Sequence, residues 1–560
     1  MKSRDKQRSF LRDPIRRIQV TVAAIFVLAD ALAFGFGSGP ARAALSHALI
    51  QGSGSSWSAN AVNQWIADVQ QTGLQVVYTS VGSAQGRKDF AYKTTDYAVS
   101  DIGYLGVDPV TGEQDTSLGR TYVYLPIVAG GTSFPYQIRV AGQLVTNLRL
   151  SGLTLAKIFT NQIRNWNDPE ITSDNNGRKL PSIPIIPVVH SEGSGSTAQF
   201  TRYLAHRYPS IWKAYSGTSV LTEYYPRQGQ QVAQNGSDGV MNFISSAAAN
   251  GSIGYDEYSY ALGKNYPVIK LENSAGYFTA PTQYNVAVAL TQAKINMDKN
   301  PSHCQSLGYS PPCYLLQNLD SVYAYGDKRA YPMSSYSYMI IPTASDDPRM
   351  TTAKRQTLAD FIGYSICDGQ AEMGPIGYSP LPINLVQASF SQVGALQAAD
   401  PNVHPARPDV SQCNNPTFVK GNPRLNHLAQ IAPLPPLCDK SGQGPCTGNE
   451  GIINLNPQKG KVPTTSGPGP VTGAGGKGGG GGGKGGKTSL IPGQTNTPGL
   501  PTNAQIVAEP TTLPGRQASN LSGLLAGSAA LELILLLALP PLFTRFRPRR
   551  LNAPGQGSKS

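Results

Sequence analysis

Three segments of this 560-residue chain run from an apolar, strand-like stretch through a Gly/Ser loop into a helical pattern. The clearest extends from Pro187 to Phe200, where the loop Gly193–Ser196 separates the two elements. In chain order the first loop is residues 52–57, which precedes a helix whose apolar residues recur with a period of 3.6. Residues 82–86 form the second loop, after the strand-like run Leu74–Tyr78, and Gly193–Ser196 is the third. This alternation predicts an α/β fold in which helices cover both faces of a sheet.

Loops of this kind are suited to binding an anion. The first turn of a helix carries N–H groups without intrahelical partners and the positive end of the helix dipole. Small residues let a ligand approach the backbone, and serine hydroxyls add donors without adding bulk. If the three loops converge, they form a donor-rich pocket that suits a tetrahedral oxyanion and needs no metal or cofactor. Taken singly, each loop is equally compatible with an ordinary turn that binds nothing.

Both ends of the chain indicate export. The first 43 residues have the layout of a secretory signal peptide, with a basic start, an apolar run and small residues before Ala44. A membrane anchor that is not cleaved is the alternative. Residues 521–543 are apolar apart from Glu532 and are followed by a basic tail, 544–560. This pattern predicts one transmembrane helix with a cytoplasmic C-terminus, so the chain is expected at the cell membrane with its globular part extracellular.

The segment before the predicted membrane helix is rich in proline, glycine, serine and threonine from about Asn414. Residues 413–520 are therefore predicted to form a disulfide-bearing extension and a flexible tether. Six cysteines in an exported chain favour disulfide bonds, although their connectivity is open. Short separations favour three pairs: Cys304–Cys313, Cys438–Cys446 and, by remainder, Cys367–Cys413. Zinc is not expected, because the cysteines lack the close spacing of zinc ligands.

The charge distribution argues against nucleic acid as a partner. The chain has a formal net charge of +13. Residues 1–43, the predicted tether and the C-terminal tail hold this basic excess, and the remaining body is close to neutral. A neutral body has no basic surface for a polyanion. It would bind a small anion through local dipoles and hydrogen bonds.

Ten short blocks of sequence follow one another between Leu49 and Val386. They are Gly52–Trp57, Gly82–Gly86, Tyr97–Asp101, Leu125–Gly131, Thr154–Phe159, Ile163–Trp166, Gly193–Ser196, Asn235–Val240, Gly251–Tyr255 and Gly377–Pro382. In this order they resemble the phosphate-binding proteins of the phosphate-specific ABC importer. That family belongs to the two-lobed, type II periplasmic binding protein class. A single block is weak evidence, whereas the number and order of the blocks are specific.

The resemblance implies a set of ligand contacts on the three loops and on one carboxylate. These residues are Ser56, Trp57, Ser83, Asp101, Ser194, Gly195 and Ser196. In this set Asp101 is an acceptor, which helps only if the ligand carries a proton. Hydrogen phosphate carries one at neutral pH and sulfate does not, so the resemblance implies selectivity for phosphate. The alternative role for Asp101 is that of a helix N-cap.

One position departs from the family pattern. The family usually has an arginine just before the acidic Gly-Ser-Gly block, whereas this chain has His190, with Glu192 as the carboxylate. Histidine has fewer donors, and its charge is lost near neutral pH. Arg87, beside the second loop, is a candidate for the missing positive charge. The alternative is that His190 ends a strand and touches nothing in the pocket.

The resemblance also implies the domain organisation. Lobe one combines residues 44–133 and 340–412, lobe two spans residues 134–339, and the ligand lies between the lobes. Closure of the lobes about a hinge would enclose the anion and signal occupancy to the permease.

The leading hypothesis is a membrane-tethered, extracytoplasmic solute-binding protein that delivers phosphate, or a related oxyanion, to the permease subunits of an ABC importer. The alternative is a diverged cell-surface sensor or interaction module that keeps the fold but does not transport phosphate. A phosphoester hydrolase is disfavoured, because no catalytic triad or metal cluster accompanies the pocket.

Overall fold

The computed structural model describes residues 47–406, 410–422 and 425–446. The predicted signal peptide, the transmembrane helix at 521–543, the C-terminal tail and the part of the tether beyond residue 446 lie outside these ranges. Within the described ranges, none of the helices has the length and apolar character needed to cross a bilayer.

The strands are short apart from two long ones. The first nine are β1 (Ile50–Gly54), β2 (Val76–Ser80), β3 (Tyr97–Ser100), β4 (Gly106–Val107), β5 (Gln114–Asp115), β6 (Tyr122–Ser133), β7 (Arg139–Val140), β8 (Gln143–Leu144) and β9 (Arg149–Leu150). The others are β10 (Ile186–His190), β11 (Val232–Gln234), β12 (Ser252–Gly254), β13 (Asp256–Glu257), β14 (Lys270–Glu272), β15 (Phe278–Thr279), β16 (Lys294–Ile295), β17 (Gln317–Asn318) and β18 (Ser334–Pro342).

Three sheets organise the body. The large sheet has the strand order β13-β6-β18-β3-β1-β2, the second sheet β11-β10-β12, and the third sheet β15-β14-β9. Strand β1 runs parallel to β2 and β3, and β10 runs parallel to both of its neighbours. Parallel neighbours need crossover connections, and helices supply them here. Three further two-stranded pairs are β4–β5, β7–β8 and β16–β17.

Helices alternate with the strands. They are α1 (Ala59–Gln70), α2 (Ser83–Ala91), α3 (Gly152–Phe159), α4 (Pro169–Asp174), α5 (Gly195–Arg207), α6 (Pro209–Ser216), α7 (Gly236–Ser245), α8 (Tyr258–Gly263), α9 (Gln283–Leu290), α10 (Ser302–Ser306), α11 (Asp320–Tyr323), α12 (Thr352–Ile366), α13 (Ile383–Ala399) and α14 (His427–Ile431). Short 3₁₀ turns cover Asp368–Glu372, Val410–Gln412 and Leu437–Asp439. The predicted α/β class is confirmed.

The first strand–loop–helix unit shows how the sequence sets this arrangement. In α1 the buried apolar residues Ala61, Val62, Trp65 and Val69 recur at helical spacing, so this face packs into the core beneath the large sheet. Gly54 ends β1 at φ +144°, and a Cβ there would lie 1.9 Å from the Val99 carbonyl oxygen. Only glycine lets β1 and β3 approach this closely while the chain turns.

The C-terminal extension is better packed than its composition indicates. All three predicted disulfides are confirmed: Cys304–Cys313, Cys367–Cys413 and Cys438–Cys446. Thr417 is fully buried, and Leu428 joins the largest core cluster. Where a flexible tether is predicted from about Asn414, the described residues up to 446 pack on the body. The rest of residues 413–520 stays a prediction.

Candidate functional site

The three Gly/Ser loops meet around the carboxylate of Asp101, which follows β3. Ser55 from the first loop donates to both carboxylate oxygens at 2.9 and 2.8 Å. Ser83 from the second loop donates to Oδ2 at 3.3 Å. At the third loop, a Cβ added to Gly195 would lie 2.1 Å from Asp101 Oδ2 and 2.5 Å from Ser83 Oγ. The convergence predicted from the sequence is therefore found in the structure.

The surroundings of Asp101 make its carboxylate unusual. The residue is 2 % exposed, and burial raises its pKa, although hydrogen bonds from four serines oppose this effect. The two donors not yet named are Ser58, at 3.3 Å, and Ser337 of β18, at 2.5 Å, both to Oδ1. None of the described helices is capped by Asp101, so the N-cap alternative does not apply. The carboxylate is a buried acceptor surrounded by hydroxyls.

The third loop places the start of α5 against Asp101. Ser194 is the N-cap of α5, and its Oγ accepts a hydrogen bond from the Thr197 amide. Ser196, in the first turn, is 1 % exposed, and its Oγ has no hydrogen-bond partner among the described residues. Gln199 donates from its side-chain amide to the Asp101 carbonyl at 2.8 Å. A buried hydroxyl without a partner is costly, so Ser196 is a donor available to a bound group.

Ser56 and Trp57 of the first loop both lie at the site, but they make different contacts. Ser56 Oγ accepts from the Ser237 amide at 3.2 Å and from the Ser237 hydroxyl at 3.0 Å, at the start of α7. Trp57 is buried, with its indole N–H donating to Thr132 Oγ1 at 3.2 Å. Its ring packs edge-on against Tyr378, whose hydroxyl donates to the Trp57 carbonyl at 2.6 Å. The Trp57 side chain therefore braces the loop.

Arg87 lies near the site in a cluster of buried acceptors. Its guanidinium is fully buried and donates to Asp115 Oδ2 at 2.8 Å, Glu223 Oε1 at 2.5 Å and Ser100 Oγ at 2.9 Å. Burial raises the pKa of Glu223 to about 7, against the attraction of Arg87. Glu223 Oε2 has no partner among the described residues. The positive charge of Arg87 is thus largely balanced by carboxylates.

His190 is buried behind the third loop, at the end of β10. Its Nδ1 lies 2.7 Å from Glu192 Oε1, and its Nε2 lies 3.3 Å from the Tyr255 carbonyl oxygen. Both partners are acceptors, so only the doubly protonated ring donates at both nitrogens. Burial opposes that charge, but Glu192 outweighs it, and the pKa of His190 is raised. Glu192 Oε2 also accepts from the Gly236 amide at 3.0 Å, which links the third loop to α7.

Several residues of the site carry no sequence signal that would have identified them. Ser337 lies 236 positions from its partner Asp101, in a strand whose residues are all buried. Glu223 meets Arg87 across 136 positions. Ser55 and Ser58, in contrast, lie in or just after a serine-rich run that the sequence analysis had identified. The sequence did not distinguish which of these hydroxyls face the carboxylate.

The geometry defines what the site is able to bind. Helices α1, α2 and α5 follow the three loops, so the positive ends of their dipoles lie near the region around Asp101. Helix α7 begins beside Glu192 and Ser56, which accept from its first two amides. Serine hydroxyls surround the region, and Asp101 provides an acceptor within it. Such a set is complementary to a small oxyanion that also carries a proton. The described residues include no cluster of histidine, cysteine or acidic side chains suited to a metal ion.

Comparison with known proteins finds relatives of this chain. Residues 37–369 match the family model described as PBP superfamily domain. The chain is 30% identical over 346 residues to phosphate-binding protein PstS of Pasteurella multocida, covering 61% of this chain and 89% of that protein. It is 30% identical over 351 residues to PstS 3 of Mycobacterium tuberculosis, covering 62% and 86% respectively. A solved high-affinity periplasmic phosphate-binding protein, PfluDING, is 19% identical with a TM-score of 0.46, covering 65% of this chain and 100% of the other.

Proposed function

Because this chain belongs to the PBP superfamily and, within it, to the PstS phosphate-binding proteins, we propose that it captures inorganic phosphate and delivers it to an ABC importer. The observation that carries the proposal is the convergence of three Gly/Ser loops, each leading into a helix, on one buried carboxylate. No step of this function requires the protein to act as an enzyme. Ligand capture needs only donors, an acceptor and exclusion of water.

The proposed ligand contacts follow from the chemistry of each group. Ser83, Ser194 and Ser196 supply hydroxyls, and the backbone at Ser56, Trp57 and Gly195 supplies N–H donors at helix starts. Asp101 accepts the proton of hydrogen phosphate. Arg87 and His190 act on the ligand indirectly, by fixing the second and third loops, because their own donors are engaged with Asp115, Glu223 and Glu192.

The test of this function is calorimetric titration of the purified protein, stripped of bound anion, with phosphate and with sulfate. Saturable heat with phosphate and none with sulfate is the expected result. The absence of heat with phosphate would contradict the proposal and would favour the alternative, a cell-surface sensor or interaction module that has kept the fold.

The substitution Asp101→Asn is expected to weaken phosphate binding about tenfold and to reduce the preference over sulfate. The amide retains the shape of the carboxylate but presents an N–H group to the ligand proton, and one charge-assisted hydrogen bond is worth about 1.5–3 kcal/mol. The measurement is the ratio of phosphate to sulfate affinity by calorimetry. Asp108→Asn is the matched control, since Asp108 is equally buried but bonds to Thr222 and the Glu223 amide instead.

His190 is proposed to hold the third loop in place through its charge, which makes stability depend on pH. Because the folded-state pKa of His190 is raised, its contribution is complete below the ordinary histidine value of about 6.5 and is lost as pH rises through the folded value. The lowered pKa of Glu192 keeps the partner charged throughout this range. Asp256 also faces the ring, and burial raises its pKa to about 7.

The expected result is that the thermal midpoint of the wild type falls relative to that of His190→Gln as pH rises above about 6.5. This comparison reports His190 together with Asp256, because the charge of His190 lowers the pKa of Asp256. Midpoints would be measured without added anion from mildly acidic to mildly basic pH. Parallel curves for the two proteins would contradict the proposal, because they would show that the pKa of His190 does not differ between the folded and unfolded states.

The proposal extends to how the protein is arranged at the cell surface. The body would be two lobes, residues 44–133 with 340–412 and residues 134–339, that close on the ligand about a hinge. Residues 1–43 would direct export, and the helix at 521–543 would hold the body outside the membrane through the remaining tether. A tether of this length lets the body reach a neighbouring permease.

A further inference from the structure

The last described stretch of the chain, residues 410–422 with 425–446, runs from one side of the body to the other. We call it the strap. It begins beside the helices that cover the large sheet and ends on the third sheet. At the site, the Ala84 amide at the start of α2 donates to the Gly193 carbonyl in the loop after β10, which belongs to the second sheet. The bridges Pro135–Val268 and Tyr136–Ile253 connect the second sheet to the segment before β14, so the large-sheet side and the third-sheet side are already joined there. The strap therefore adds a second connection between them, made by a different part of the chain.

At its first end the strap is attached covalently. Cys413 forms a disulfide with Cys367, the residue that ends α12. Asn415 Nδ2 and Thr417 Oγ1 each donate to the Leu381 carbonyl at 2.8 Å, just before α13. Helix α13 is in turn joined to β6, since Ser389 donates to the Pro126 carbonyl at 2.6 Å. This end thus moves with the large sheet.

In its middle the strap forms α14, which packs against α9. Leu428 is 4 % exposed and lies in the largest core cluster. Arg329 Nη1 donates to the Ala429 carbonyl at 3.0 Å, which anchors the backbone of the helix. These contacts bury apolar surface, so the strap is part of the folded body and not an appended loop.

At its second end the strap is held by a buried ion pair and by an arginine that donates to two of its carbonyl groups. Lys270 Nζ lies 2.6 Å from Asp439 Oδ2, with Asp439 3 % exposed. Arg149 of β9 donates to the Cys438 carbonyl at 2.8 Å and to the Gln443 carbonyl at 2.7 Å. The Ser441 amide donates to the Gly276 carbonyl at 2.8 Å. Arg149 and Lys270 belong to the third sheet, so this end moves with it.

We propose that the strap limits how far the large-sheet side and the third-sheet side of the body separate, and so restrains opening of the site. Separation would have to break the buried Lys270–Asp439 pair and the two hydrogen bonds from Arg149 to the strap, or else detach α14 from α9. A buried pair is costly to break, because each charge is left without its partner. The disulfide Cys438–Cys446 keeps the second end compact by closing a loop of sequence separation 8.

The test measures hydrogen exchange at individual backbone amides in the full protein without added ligand. The Ala84 amide, which donates across the site to the Gly193 carbonyl at 3.1 Å, reports opening. The Ser441 amide reports detachment of the strap. Two variants loosen the second end: Asp439→Asn, and the pair Cys438→Ser with Cys446→Ser. Because no phosphate is involved, the outcome is independent of whether the proposed function is correct.

The expected result is that exchange at Ala84 becomes about tenfold faster in both variants, together with exchange at Ser441. The matched control removes Cys304–Cys313, a disulfide of sequence separation 9 outside the strap, and leaves Ala84 at its wild-type rate. The Ala129 amide, bonded to Ser379 at 3.2 Å, must also keep its rate, which excludes general unfolding.

Faster exchange at Ser441 with unchanged exchange at Ala84 would overturn the proposal, because the strap would then detach without affecting the site. If neither variant speeds exchange at Ser441, combining their substitutions with Arg149→Ala removes the remaining contacts of the second end. An unchanged rate at Ala84 in that variant would equally overturn it.

Discussion

Replacing Gly195 by alanine is expected to weaken phosphate binding by roughly 100-fold. A Cβ at this position would lie 2.1 Å from Asp101 Oδ2 and 2.5 Å from Ser83 Oγ, both of which are buried. Two polar groups would have to move, and each would lose a hydrogen bond that orients it. Overpacking of this kind costs about 1–3 kcal/mol, and each 1.4 kcal/mol is a factor of about ten in affinity. Calorimetric titration with phosphate measures the loss.

The control for this substitution is Gly394→Ala. Gly394 lies inside α13, and a Cβ there would meet no atom within 4 Å. Alanine in an open helix position stabilises by about 0.5–1 kcal/mol relative to glycine. We therefore expect Gly394→Ala to bind phosphate normally and to unfold at a slightly higher temperature. Wild-type affinity in Gly195→Ala would place the ligand away from Asp101.

Replacing Arg87 by methionine is expected to lower the free energy of unfolding by about 3–5 kcal/mol, since removing one partner leaves buried charges uncompensated. The charges concerned are Asp115, which is bonded to Arg87 at two atoms, and Glu223. Methionine keeps much of the side-chain volume, so the loss reports charge rather than a cavity. Denaturant unfolding in anion-free buffer measures it without the contribution of a bound ligand.

The neighbouring residue provides the control. Lys88 pairs with Glu113 at 3.0 Å, but both side chains are well exposed, at 49% and 40%. Exposed pairs contribute about 0.2–1 kcal/mol, so Lys88→Met should change stability little. If Arg87→Met were as mild as Lys88→Met, the Arg87 cluster would be solvated and its charges would not depend on one another.

The parts of the site that the sequence predicted are those that depend on near neighbours in the chain. Helical spacing identified the buried face of α1, and the loop 193–196 led into α5 as expected. The disulfide pairing could also be predicted, because two of the three pairs join cysteines only 8 and 9 positions apart in the sequence. In each case the relevant interactions are set within one turn or one loop.

The parts that could not be predicted depend on how distant segments meet. Nothing around Ser337 distinguishes it from the other serines of β18, yet it donates to Asp101 at 2.5 Å. Composition also led to the prediction of a flexible tether where the extension packs on the body, because a proline-rich segment has few apolar residues to bury. It packs through a few apolar residues, such as Leu428, and through specific polar contacts, such as Lys270 with Asp439, that composition does not reveal.

Trp57 gives this protein an optical probe at the place where the ligand is proposed to bind. Three of the four tryptophans, Trp65, Trp166 and Trp212, are fully buried in the core, and their emission should be insensitive to events at the surface. Trp57 is also buried, but it adjoins Ser56, whose carbonyl accepts from Tyr260 at 2.6 Å. Any rearrangement of that contact alters the surroundings, and so the emission, of Trp57, while the emission of the other three tryptophans stays constant. Fluorescence of the unlabelled chain should therefore follow binding in real time.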